Sequence, residues 1–177
     1  MAAELFWLWV SALGAPEVWF SLSLAFFIIC GGLEHRMTPL KRRKCRERSR
    51  LLFLSVLVAI GLSLLLKAAL THPRPCVPCS WPSEGNCNPF CPTGTWPEDY
   101  SFPSAHAAVA FAAVSAVYAS MRKKKYALMF IFPALVGLSR MALGVHTVWD
   151  VLAGAALGLL ATDAAEIALS RKPGKKH

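Results

Sequence analysis

Five apolar runs, Val18–Leu33, Leu51–Leu70, Ala105–Met121, Tyr126–Ala142 and Thr147–Leu169, fill most of the chain. A hydrocarbon layer of roughly 30 Å needs about 20 such residues to cross it. Without water to bond the backbone, a single crossing segment satisfies its N–H and C=O groups only as an α-helix. Composition points the same way. Of 177 residues, 55% are hydrophobic and 16% charged, where a soluble domain carries about a quarter charged. The expected fold is therefore an all-α integral membrane protein, a bundle of about five transmembrane helices. It is read as one membrane-embedded domain over residues 1–177, with little chain left for a soluble one. Ahead of the spans, the aromatic-rich segment from Ala2 to Gly14 contains Glu4 and no basic leader. It is read as an interfacial helix and not as a cleaved signal peptide, with a signal anchor as the alternative.

Charge sets the expected orientation. Eight Lys or Arg lie in residues 34–50, four in "MRKKKY" and four in the tail "SRKPGKKH", which accounts for sixteen of the nineteen. If five spans alternate, all sixteen fall on one side, the cytoplasmic one by the positive-inside rule. The N-terminus and the loop 71–103 are then expected outside and the C-terminus inside, with the cell membrane as the expected residence. The net charge of +9 is thus explained by topology and gives no ground for a nucleic-acid partner. The basic segment 34–50 is read as a solvated cytoplasmic loop that fixes topology, in preference to a specific anionic-lipid site.

The outer loop is rich in Pro and Gly and carries Cys76, Cys79, Cys87 and Cys91. A zinc ribbon has a longer separation between its knuckles, and this side is expected to be oxidising. Two disulfides are therefore expected, with all three pairings open. Cys30, inside a span, and Cys45, in the basic loop, are expected to be unpaired.

Only Lys67, Arg74 and Arg140 lie away from the basic face, and all three fall at the opposite ends of spans. In "KAALTHPRP", Lys67 and Arg74 stand seven residues apart where Pro73 and Pro75 stop the helix. Nearly two helical turns separate them, so both cations can point to one side; the alternative is a pair of snorkelling anchors. In "YSFPSAHAAVAF", Ser104 reads as the N-cap of an apolar helix with His106 in its first turn, and a helix N-terminus favours anions. Alone, such a histidine is usually an interfacial polar residue. In "SRMALGVHTVWD", Arg140 ends one span, while His146 and Asp150 stand at i and i+4 of the next, one above the other. An aspartate there fixes the imidazole tautomer and raises its basicity, or else forms a structural ion pair. Gly154 and Gly158 add a small-residue seam for close helix approach.

Three cations, a helix N-terminus, two histidines and an aspartate at one membrane face suit a phosphoryl group, whose charge spreads over its oxygens during transfer. The order and spacing of these motifs resemble the type 2 phosphatidic acid phosphatase family, also called the lipid phosphate phosphatase superfamily. Its signatures are Lys-x6-Arg-Pro, Pro-Ser-Gly-His and Ser-Arg-x5-His-x3-Asp; here the second has Ala105 in place of glycine. The resemblance implies that His146 attacks phosphorus to give a phosphohistidine, oriented by Asp150. It implies that His106 protonates the leaving oxygen and then activates water. Lys67, Arg74, Arg140, Ser104 and the Ala105 N–H are the implied phosphate ligands. It implies no metal and no cofactor, and a membrane lipid as substrate. Ala105 is expected to lower conformational tolerance without abolishing activity. Many relatives have six spans, the first of which is replaced here by residues 2–14.

An isoprenoid carrier diphosphate is the expected substrate, because short loops offer little surface for selecting a large headgroup. Phosphatidate or a phosphatidylglycerophosphate-type lipid is the alternative. Rival readings are a lipid phosphotransferase and a non-catalytic lipid-phosphate binder or transporter; a vanadate haloperoxidase does not suit so small and apolar a chain. His72 is read as facing water.

Overall fold

The computed structural model describes residues 2–32, 37–75, 100–121 and 124–170, and every regular element among them is helical. The elements are α1 (Ala2–Leu13), α2 (Pro16–Gly32), α3 (Pro39–Leu70), α4 (Ala105–Met121), a 3-10 segment (Lys124–Phe130), α5 (Ile131–Ala142) and α6 (Val148–Ser170). Four stretches are long and apolar enough to cross a membrane: Leu5–Gly32, Pro39–Leu70, Lys125–Ala142 and Val148–Ser170. The shorter apolar helix Ala105–Met121 is the fifth.

That short helix is the centre of the bundle. α4 packs on α2, α3, α5 and α6, and its sequence explains how four neighbours fit. Ala107, Ala108, Ala110, Ala112, Ala113 and Ala116 are all buried, so small side chains meet neighbours on every side. On α6 the matching surface is the glycine seam. A Cβ at Gly154 would overlap the Ser104 carbonyl oxygen, and one at Gly158 the Ala108 carbonyl oxygen. Below it, the Thr162 hydroxyl donates to the Ala112 carbonyl at 3.1 Å. Close approach here fixes the relative height of α4 and α6, which places the N-termini of both at one end of the bundle. The Ser104 N–H donates to the Asp150 carbonyl at 2.9 Å.

Three expectations need correction. The basic segment is not a loop over most of its length, because α3 starts at Pro39 and runs 32 residues, about 48 Å at 1.5 Å per residue. Proline suits the first helical position, and the Lys, Arg and Glu that follow are good helix formers. The helix of the Leu51–Leu70 span therefore continues outward through them. The exposed Arg43–Glu47 contact at 2.7 Å adds little, as surface pairs do. Second, Cys30 and Cys45 form a disulfide, with Cα atoms 5.7 Å apart. Because α3 extends before its apolar part, Cys45 is carried on a helix beside the end of α2 instead of in a solvated loop. Third, the run from Tyr126 divides: α-helix begins only at Ile131, after the 3-10 segment, and Pro133, which has no N–H to donate, falls in its first turn.

At the N-terminus, α1 packs on α5, with Ser11 and Gly14 both buried. Gly14 fits against Val136, whose methyl groups occupy the space a Cβ would need. The Trp19 indole donates to the Leu13 carbonyl at 2.9 Å, fastening the turn into α2.

Candidate active site

α3 ends at Leu70 and not at the prolines, so Lys67 and Arg74 do not share a helical face. Lys67 sits in the last turn and is 4% exposed. Its ammonium donates to the Tyr100 carbonyl at 2.6 Å. Thr71 then adopts the left-handed conformation, φ 44° and ψ 36°, which turns the chain away from the helix axis. Ser101 holds this turn by donating its N–H to the His72 carbonyl at 2.8 Å. Arg74 is thereby brought to the α5–α6 turn, where Nη1 donates to the Val145 carbonyl at 2.8 Å and lies 3.4 Å from His146 Nε2. His72 is exposed, with Nδ1 3.1 Å from the Pro73 carbonyl.

His146 lies in that turn, just before α6, and is 4% exposed. Burial pushes its pKa down to about 2, helped by the charges of Arg74, Arg140 and Lys67 and by His106. The imidazole is therefore neutral, with one nitrogen free to accept or attack. A guanidinium only donates, so the Arg74 contact assigns the lone pair to Nε2 and the proton to Nδ1.

Nδ1 faces Asp150, but at 3.7 Å from Oδ2, which is beyond a hydrogen bond. Ser101 occupies the gap. Its hydroxyl donates to Asp150 Oδ2 at 2.5 Å and lies 3.4 Å from His146 Nδ1. The same Oδ2 accepts the Thr147 N–H at 2.7 Å, while the Asp150 N–H reaches the Thr147 hydroxyl at 3.3 Å. This reciprocal pair is a capping box at the start of α6. Asp150 thus caps a helix and faces the imidazole at once.

Ser104 stands just before α4, with its carbonyl accepting from the Ala108 N–H at 3.0 Å. Its hydroxyl, however, is buried and has no hydrogen-bond partner among the described residues, so its side chain does not cap the helix. Arg140 is 7% exposed at the end of α5, and its Nη1 donates to the Ser11 hydroxyl at 2.5 Å. Ser11 belongs to the segment expected only to lie at the interface.

Lys67, Arg74, Ala105, His106, Arg140 and His146 line a single cavity of about 400 Å³, completed by Pro16, Glu17, Ile60 and Leu64. Of the residues singled out in the sequence, Ser104 and Asp150 stand behind this lining. Cys76, Cys79, Cys87 and Cys91 lie outside the described residues. Ser101, Ser11 and Glu17 were not singled out from the sequence: Ser101 precedes Ser104 and His106 in the same stretch but falls at no motif position, and Ser11 and Glu17 lie in segments with no motif signal. Among the described residues, no group of His, Cys, Asp and Glu is placed to hold a metal ion.

The family model of the PAP2 superfamily matches residues 49–167, from the apolar part of α3 nearly to the end of α6. The chain belongs to the PAP2 superfamily. It is accordingly a membrane enzyme, a metal-independent phosphatase acting on lipid. Among solved structures, this PAP2 chain is similar to Aquifex aeolicus LpxE, with a TM-score of 0.66 and 23% identity over 94% of this chain and 86% of that one. That likeness supports the fold. A second match is the first transmembrane PAP2 type phosphatidylglycerolphosphate phosphatase from Bacillus subtilis, at TM-score 0.47 and 22% identity over 98% of this chain and 96% of that one. No curated protein matches the chain in sequence.

Proposed function

We propose that the cavity is the phosphatase centre and that His146 is its nucleophile. The observation that carries this is a buried neutral imidazole, flanked on its Nε2 side by Arg74 and on its Nδ1 side by Ser101 and Asp150. It lines the same cavity as a second histidine and two further cations. In this reading Nε2 attacks phosphorus and the ester P–O bond breaks as His106 gives its proton to the leaving lipid oxygen. Water, losing a proton to His106, then displaces His146, releasing inorganic phosphate. Lys67, Arg74 and Arg140 hold the phosphoryl oxygens, joined by the Ala105 N–H and by the Ser104 hydroxyl, which has no partner among the described residues. Asp150 stabilises the charge that develops on His146 and keeps the proton on Nδ1, through Ser101 in the geometry described above.

Ile60 and Leu64 precede Lys67 by seven and three residues on α3 and give the cavity an apolar wall. This wall suits the tail of a membrane lipid. The isoprenoid diphosphate expected from the sequence and the phosphatidate-type alternative share this chemistry, and the lipid panel below separates them. The basic tips of the bundle are assigned to the cytoplasm and the cavity to the outer face, on the positive-inside rule.

The test is phosphate release from a lipid panel by detergent-purified protein. His146→Ala should lower kcat at least about a thousandfold while the protein stays folded, the scale on which loss of a covalent nucleophile is felt. Orthovanadate should inhibit the parent enzyme. Full activity in His146→Ala would remove the nucleophile assignment.

A further inference from the structure

The three cations of the cavity have one feature in common. Each places a donor on a neutral oxygen: Lys67 Nζ on the Tyr100 carbonyl at 2.6 Å, Arg74 Nη1 on the Val145 carbonyl at 2.8 Å, and Arg140 Nη1 on the Ser11 hydroxyl at 2.5 Å. A neutral acceptor orients a cation without cancelling its charge, which stays available to an anion. Two of these acceptors are backbone carbonyls, which any residue supplies. The third is a side chain, so of these tethers it is the one that a single substitution removes.

We propose that Ser11 is a positioning residue that aims the Arg140 guanidinium at the phosphoryl group, so that α1, which carries none of the motif residues, is a working part of the site. This rests on the cavity being the phosphoryl site. A guanidinium is a rigid planar fork on a long, rotatable stem, and one tethered nitrogen fixes the direction of the others. With the tether gone, the incoming anion must itself order Arg140, and affinity falls by the cost of that ordering.

Both partners are well held for such a role. Ser11, in the last turn of α1, is 5% exposed, and Arg140, in the last turn of α5, lines the cavity. Gly14 seats against Val136, three residues from Ser11 and four from Arg140. A second contact about one helical turn away thus keeps α1 on α5. A clasp between these helices with no further role would lower the melting temperature and leave the anion affinity of the folded protein unmoved, so affinity separates the two.

The experiment measures orthovanadate binding to the detergent-purified full chain by isothermal titration calorimetry, beside thermal melting. Ser11→Ala should weaken binding at least about fivefold, the scale of one hydrogen bond. Ser11→Cys, close in volume but only a weak acceptor, should lose as much. Ser11→Thr keeps the hydroxyl and should stay within about twofold of the wild type. In an Arg140→Met background the Ser11→Ala loss should vanish, because residues that act through one another are not additive. Wild-type affinity in folded Ser11→Ala and Ser11→Cys, or an equal loss with and without Arg140, would overturn the proposal; vanadate binding by the wild type in that case leaves the phosphoryl-site reading standing. No binding by the wild type would overturn that reading and this proposal with it.

Discussion

At the scale of single residues, the proposed mechanism depends on the neutrality of His146. Its pKa is pushed down by burial first and by Arg74 next, so the free enzyme keeps a nucleophilic imidazole through the mildly acidic range. The acid limb of kcat/KM should therefore report the substrate phosphate, whose second pKa is near 6, or another group, and not His146. Replacing Arg74 by Met removes a charge that opposes protonation, so the His146 pKa should rise. Histidine-selective carbethoxylation followed against pH would register that rise; no change would contradict the assigned cause. The same shift has a stability side. An unfolded histidine takes up a proton near pH 6.5, while the folded one resists it down to about 2. Stability from this residue is thus fully present above about 6.5 and is lost as pH falls below it. Ser101→Ala should lower kcat by about ten- to a hundredfold with little change in KM, because it leaves the gap between Nδ1 and Asp150 Oδ2 open. An equal loss in KM would instead make Ser101 a binding residue. In the sequence, His146, Asp150, His106 and the three cations were legible because titratable groups at fixed spacing stand out against an apolar background. Serine is common in membrane helices and their ends, so Ser101 and Ser11 gave no such contrast.

At the scale of elements, short stretches of backbone do what helical periodicity does not. Arg74 reaches His146 because Thr71 turns left-handed at the end of α3, a conformation that a β-branched residue adopts at a cost. Thr71→Asn, better suited to that conformation, should stabilise the folded protein by about 0.5–1 kcal/mol. A lower melting temperature in the variant would contradict this reading of the turn. The turn was hidden in the sequence because the proline pair suggested that the helix continued to it. The glycine seam was legible: Gly154 and Gly158 lie four residues apart, and both face backbone atoms of α4. Gly158→Val should destabilise by about 1–3 kcal/mol or more and lower activity too, because the α4–α6 contact holds Ser104 and His106 level with Asp150. Retained stability with full activity would show that the seam tolerates opening. The Cys30–Cys45 disulfide was missed because span boundaries were drawn from hydropathy, and hydropathy does not register a helix that continues through arginines.

At the scale of the whole molecule, one arrangement explains the division of charge. Sixteen of the nineteen basic residues lie in segments assigned to one face, and the other three converge on one cavity. The membrane fold and the count of apolar runs were readable from composition and run length, since hydrocarbon leaves the backbone few choices. The way α1 completes the site through Ser11 was not, because an interfacial reading says nothing about which neighbour a helix packs on. If the cavity faces outward, a tag placed after His177 should resist protease added to intact cells; its cleavage would reverse the assigned orientation.

A covalent phosphoryl-His146 can be trapped. Protein mixed with a lipid monophosphate labelled with radioactive phosphorus and quenched within one turnover in base should retain label that is stable to alkali and released by acid. The label should map to His146 and be absent from His146→Ala. An active wild-type enzyme that retains no such label under single-turnover conditions, or one labelled equally after His146→Ala, would contradict it.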